Sequence, residues 1–302
     1  MTFNEGADLD ISQVTGGGGG VRGGAVIGGG AGGIILLILS LIFGQNLTGA
    51  GTNSANPFDT GQIQPGGDTS TTDFSQCKTG ADANRDVTCR IIGTVNSVQD
   101  YWTDALPADV QRQYQAAKTV IYSGSTQSAC GVASNATGPF YCPSDQRIYI
   151  DASFFDELTS RFGADDGALA QEYVIAHEYG HHVENLLGFL AKGQDGRTGP
   201  LSGGVRIELM ADCMAGVWAH HASSTKDADG DTLLEPLTES DIQSALSAAS
   251  AVGDDRIQQS QTGRVNQESW THGSSESRQR WFLAGYEGGT VNQCDTFSTD
   301  DL

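Results

Sequence analysis

Basic side chains are scarce in this sequence: 16 lysines and arginines stand against 37 aspartates and glutamates, a formal net charge of −21 over 302 residues. A field of that sign repels nucleic acid and anionic lipid, which argues against nucleic-acid binding and favours neutral or cationic ligands. Closely paired cysteines are also missing. Cys77, Cys89, Cys130, Cys142, Cys213 and Cys294 form no C-x-x-C, so neither a zinc ribbon nor a thioredoxin-type site is indicated. There are no tandem repeats beyond runs of glycine, and no charged residue at all between Gly23 and Phe58.

That uncharged stretch contains the apolar run Ile34–Phe43, and Ala25 to Phe43 is just long enough to span a bilayer as a helix. The pattern predicts a transmembrane helix over 23–44. Arg22 is the basic residue on its N-terminal side and Lys78 is the next one after it. The positive-inside rule then places residues 1–22, a glycine-rich tail, in the cytoplasm and the bulk of the chain outside, as a single-pass protein of the cell membrane. A cleaved signal peptide is the competing reading, and the long leader bearing Glu5, Asp8 and Asp10 argues against it. Residues 45–75 are rich in Gly, Ser, Thr, Asn and Pro and read as a flexible stalk, leaving 76–302 as the folded domain. An even cysteine count in an exported chain points to disulfides. The equal spacings of Cys77–Cys89 and Cys130–Cys142 favour local pairs, which would leave Cys213 with Cys294, although spacing alone does not choose among the connectivities.

Within the domain, Arg90–Asp100 and Gln111–Ala117 read as mixed-polarity helix, and Thr119–Ser123 and Arg147–Asp151 as short β-branched and aromatic strands. From Ala168 onward the pattern is helical, punctuated by loops at Gly163–Gly167, Gly193–Gly204 and Asp227–Asp231. The expected fold class is α+β.

The segment Val174–Val183 contains H-E-x-x-H, with His177, Glu178 and His181. Residues four apart on a helix lie on one face, so two imidazoles at that spacing can reach one Zn²⁺. The glutamate after the first histidine stands at the open side of such a metal, where it can take a proton from water. The periodic stretch Gln171–Leu187, stopped by Gly188, supplies the helix. The metzincin extension would need Gly and His where Glu184 and Leu187 stand, which excludes that class. A second helical pattern, Arg206–Trp218, sets Glu208 and Asp212 on one face. Glu208 would complete a His₂Glu zinc site and Asp212 would accept the N–H of a ligand histidine, with the reverse assignment also open.

These blocks resemble the neutral zinc metallopeptidase family of bacterial membrane-anchored proteins. The likeness runs over nearly the whole chain: Gly32–Leu37, Tyr122–Gly131, Gly138–Pro143, Ile148–Asp151, Ala176–His182, Glu208–Cys213, Ala248–Asp255 and Thr271–Phe282. The tail departs from the family in being poorer in arginine. The resemblance implies a zinc peptidase acting on peptide or protein substrates. By analogy with zincins, the expected fold packs a small sheet against the motif helix, with Arg147–Asp151 as the edge strand that an extended peptide pairs with.

Other residues carry weaker signals. His272 lies in a polar stretch before a helix and could donate to the oxyanion of a tetrahedral intermediate, or simply bond to the backbone. Asp254 and Asp255 could cap a helix, bind a cation or hold the site from behind. His182 is expected to point off the ligand face, and His220 and His221 read as surface residues. Lys226–Asp231 has the look of a calcium loop, but its glycine stands at the fourth place rather than the sixth, so a solvated turn competes with Ca²⁺. Three functions stay open on the residues alone: a zinc peptidase, a zinc-bearing surface protein without catalysis, and a metal-dependent amidase acting on cell-wall material.

Overall fold

The computed structural model describes residues 2–18, 72–227 and 229–302. A short helix and a long one open the domain, α1 (Gly80–Arg85) and α2 (Val87–Val110). The strands follow: β2 (Lys118–Tyr122), β3 (Ser125–Ser128), β4 (Gly131–Ser134), β5 (Phe140–Cys142) and β6 (Arg147–Asp151), with β1 (Val14–Gly16) supplied from far upstream. The remaining helices are α3 (Phe154–Ser160), α4 (Ala168–Leu187), α5 (Gly203–His221), α6 (Glu239–Ala251), α7 (Asp254–Thr262) and α8 (Ser275–Gly288). The fold class is α+β.

One sheet runs β1-β2-β6-β5, with β1, β2 and β6 parallel and β5 antiparallel to β6. The period of two sorts its side chains. Ile121, Tyr141, Ile148 and Ile150 face the helical core, while Val120, Tyr122, Phe140 and Tyr149 face the other way and gather with Ala133 of the β3–β4 hairpin. Both faces are thus covered, which explains why β2 and β6 are buried almost throughout. β6 is an interior strand, so the expectation of Arg147–Asp151 as the edge is corrected: β5 pairs outside it, Phe140 opposite Tyr149, and forms the edge itself. Gln111–Ala117 is another correction. It is irregular rather than helical: α2 stops at Val110, and Gln111 takes φ 56° just after it.

All three disulfides form between the expected partners: Cys77–Cys89, Cys130–Cys142 and Cys213–Cys294. The second ties the hairpin to β5, and the third fastens α5 to the C-terminal segment. Arg206 strengthens that attachment, donating to the carbonyls of Thr296 and Thr299 and to Asp300.

The largest correction concerns the N-terminus. Residues 2–18 are part of the domain and not a separate cytoplasmic tail. Phe3 is buried against Gly93 of α2, where a Cβ would lie 2.5 Å from the ring. Asn84 exchanges two hydrogen bonds with the Phe3 backbone, Asn96 does the same with Asp10, and Asn4 donates to Thr232. Val14–Gly16 adds in register to β2. A bilayer cannot separate strands that share a hydrogen-bond ladder, so an N-terminus on one side and residues 76–302 on the other is not compatible with this pairing. A Cβ on Gly16 would lie 2.4 Å from Oγ1 of Thr72, which places the two ends of the intervening segment side by side. The expected membrane helix over 23–44 and most of the stalk over 45–75 lie outside the described residues. No helix among the described residues is long and apolar enough to cross a membrane.

A measurable consequence follows for stability. Phe3→Ala should lower the unfolding free energy by about 3 kcal/mol, the usual cost of emptying a buried phenylalanine site. Urea titration of the two full-length proteins checks this; an unchanged midpoint would mean the segment is only laid on the surface.

Candidate metal centre

α4 carries the H-E-x-x-H segment and ends where expected, on Gly188 with φ 79° in the left-handed conformation that suits a helix C-terminus. α5 begins at the cap Ser202, whose hydroxyl accepts the N–H of Val205. The two helices approach closely at Gly180, where a Cβ would sit 2.9 Å from Cα of Ala211. Any side chain there would push α5 away, and with it Glu208.

That approach brings three ligand atoms together. Nε2 of His177 lies 3.3 Å from Oε2 of Glu208, and Nε2 of His181 lies 3.6 Å from Oε1. The three residues are buried, and their ligand atoms all lie within 4.8 Å of one another. Donors at 2.0–2.1 Å around a tetrahedral zinc stand about 3.3 Å apart, so this donor set fits the ion.

The opposite edges of both imidazoles are fixed by carboxylates. Nδ1 of His177 donates to Oδ1 of Asp212 at 2.8 Å. Asp212 is fully buried and receives a two-pronged contact from Arg278, Nε at 2.8 Å and Nη2 at 2.9 Å, and the hydroxyl of Tyr173. Burial opposes the charge of Asp212, but Arg278 and His177 hold its carboxyl below the usual range. Nδ1 of His181 lies 2.8 Å from Oε2 of Glu184, a buried group on the same helix. Burial pushes Glu184 well above the usual carboxylate range and His181 below its own, so that pair is close to neutral. A cation at Nε2 would draw the proton to Nδ1, the arrangement that presents a lone pair.

His177 behaves differently. Burial lowers its pKa, yet Asp212 and Glu208 together outweigh burial and raise it to about 10. A ligand must be neutral, so metal uptake near pH 7.5 should expel about one proton and affinity should rise about tenfold per pH unit. Zinc titration calorimetry in two buffers of different ionisation enthalpy reads this directly; identical heats would contradict it.

Two further groups face the same cavity. Glu178 is buried beside the histidines, with its pKa raised by burial, and its Oε2 has no hydrogen-bond partner among the described residues. The backbone N–H of Tyr141, on edge strand β5, is turned toward its carboxylate. His272 is buried with Nε2 unpartnered and 3.9 Å from Oε1 of Glu208. Asp254 holds it from behind: Oδ2 accepts the N–H groups of Thr271, His272 and Gly273, and Oδ1 lies 3.5 Å from Nδ1 of the ring. Asp255 instead accepts the N–H and hydroxyl of Ser275 at the start of α8.

His182 is buried off the ligand face. Its Nε2–H donates to the carbonyl of Gln115 at 2.6 Å and its Nδ1 accepts the hydroxyl of Tyr141 at 3.0 Å, so it pins β5 to α4. His220 and His221 bond to the carbonyls of Tyr286 and Gly289, away from the site. The loop at Lys226–Asp231 gives no support to calcium. Asp227 spends its carboxylate on the N–H groups of Asp229, Asp231 and Asp8, and the loop's acids do not converge on a common point.

Tyr173, Glu184 and Arg278 are the members of this centre that sequence reasoning passed over. Tyr173 and Glu184 had a usable signal, since they stand four before His177 and three after His181 on the helix face that carries both histidines. Arg278 had none beyond its place in the block Thr271–Phe282.

Residues 5–297 match a family described as "putative neutral zinc metallopeptidase". An uncharacterized protein of Mycobacterium tuberculosis is 53% identical over 304 residues, covering 100% of both chains. The uncharacterized protein YpfJ of Escherichia coli is 45% identical over 193 residues, 62% of this chain and 63% of its own length. No solved structure matches the chain. With the match running from residue 5 to residue 297, the chain belongs to the family described as putative neutral zinc metallopeptidases.

Proposed function

We propose that the chain is a zinc-dependent peptidase that hydrolyses peptide bonds in an oxidising compartment. The observation that carries this reading is the convergence of His177, His181 and Glu208 with two unpartnered buried atoms, Oε2 of Glu178 and Nε2 of His272, in one cavity. The three disulfides support the compartment.

Zinc held by His177, His181 and Glu208 would supply Lewis acidity, making a water more acidic and polarising the scissile carbonyl. The protein's own groups do the rest. Oε2 of Glu178 takes a proton from the attacking water and later hands it to the leaving amine. Nε2 of His272 donates to the oxygen that gains charge, with Asp254 behind the ring holding it in place. Asp212 and Glu184 fix the orientation of the two ligand rings. The open edge of β5, a few ångströms from Glu178, suits pairing with an extended peptide in the zincin manner.

The test is metal content and peptide cleavage of the purified full chain. About one zinc per chain, with cleavage of an unbiased peptide library that chelation abolishes, is the expected result. Folded protein that takes up no zinc on reconstitution, or that holds zinc and cuts no peptide, would sink the reading.

A further inference from the structure

The cavity that contains the unpartnered atoms of Glu178 and His272 continues into an apolar hollow. Its walls are Phe154 on α3, Phe162 in the turn after α3, Val174 one turn before His177 on α4, Val252 just after α6 and Ile257 on α7. The whole cavity, the metal-centre side chains included, has a volume of about 100 Å³, room for one side chain; an apolar cavity of about 150 Å³ accommodates benzene. The arginine in its lining, Arg278, has its guanidinium engaged already, with Nε and Nη2 on Asp212 and Nη1 directed to the carbonyl of Val252. Its charge is already matched by the carboxylate of Asp212, and the net charge of −21 disfavours an acidic side chain further. On the other side the lining passes through Gly138 and Pro139 directly into β5. The hollow therefore opens where an extended chain paired with β5 would present the side chain nearest Glu178.

We propose that this hollow is a specificity pocket that takes a bulky apolar side chain, such as leucine, isoleucine or phenylalanine, from the substrate residue beside the scissile bond. The proposal rests on the peptidase reading of the adjoining centre. Replacing a leucine by glycine in a pocket of this kind costs about 10- to 100-fold in transition-state binding.

The test uses the full chain loaded with zinc and two independent readouts. Cut sites in a peptide library, mapped by mass spectrometry, should show leucine, isoleucine or phenylalanine enriched about tenfold or more at one position flanking the cut. Calorimetry should show leucine hydroxamate binding about tenfold or more tighter than glycine hydroxamate. Val174→Trp and Ile257→Trp fill the hollow from opposite walls and should each erase both preferences while zinc content stays at the wild-type level. Equal affinity of wild type for the two hydroxamates overturns the proposal even if neither variant folds, as does a preference that survives both variants. Cleavage without apolar preference leaves the peptidase and removes the pocket. Hydroxamate discrimination without cleavage of any peptide supports the pocket and removes the peptidase.

Discussion

Replacing Glu178 by glutamine is expected to leave zinc bound and to lower peptide turnover by about 10²- to 10⁴-fold, the range that a positioned general base contributes. Glutamine has the same shape and can still accept the N–H of Tyr141, so the edge strand should keep its place beside α4. It cannot accept a proton near neutral pH. Glu178 suits the role because burial raises its pKa above the usual carboxylate value, which makes it a stronger base. The three side chains that would hold zinc are untouched, since Glu178 is not among them. The companion variant His177→Ala should lose zinc and activity together. Metal analysis beside the rate assay separates the two, and full turnover by Glu178→Gln would take Glu178 out of the mechanism.

What the sequence disclosed about this centre is what one helix can disclose. The spacing of His177 and His181 and the stop at Gly188 are local facts, and α4 spans Ala168–Leu187 against an expected Gln171–Leu187. Glu208 and Asp212 were legible for the same reason, one turn apart on α5. The equal cysteine spacings pointed to the two local disulfides, and the third followed by remainder. Arg278 is separated from Asp212 by 66 residues, and no periodicity joins the two. The role of Gly180 was equally hidden: a glycine inside a helix reads as a weakness until its neighbour across the interface is known.

The N-terminal segment failed for a different reason. Its buried residues, Phe3, Ala7, Leu9 and Val14, follow neither the helical nor the strand period, because the segment crosses several elements as an irregular strap. Its attachment is carried by side-chain amides of Asn84, Asn96 and Gln99 on α1 and α2, a pattern that leaves no mark in the hydrophobic sequence. The edge strand was misplaced because β5 has three residues, too short to show alternation, while the longer and more β-branched β6 attracted the assignment.

Arg278→Met should cost about 3–5 kcal/mol of stability, because it leaves the carboxylate of Asp212 buried without its compensating charge. His177 and Tyr173 still donate to that carboxylate, but neither carries the fixed positive charge of the guanidinium. The pH dependence gives the loss a signature. In the wild type the Asp212 carboxyl is held below its unfolded value, so its contribution is present above that value and is lost as pH falls through the folded one. Without Arg278, burial raises the carboxyl instead, so the gap between wild type and variant should be widest near neutrality and narrow below about pH 4. Zinc affinity should fall about 10- to 100-fold as His177 loses its fixed orientation. Arg278→Lys restores the charge without the two-pronged geometry and should recover part of the stability but less of the affinity. Denaturant titrations from pH 3 to 8, paired with zinc competition against a chelator, measure both quantities. A variant as stable as wild type across that range would show that Asp212 is held by His177 and Tyr173 alone, and would reduce Arg278 to a wall of the cavity.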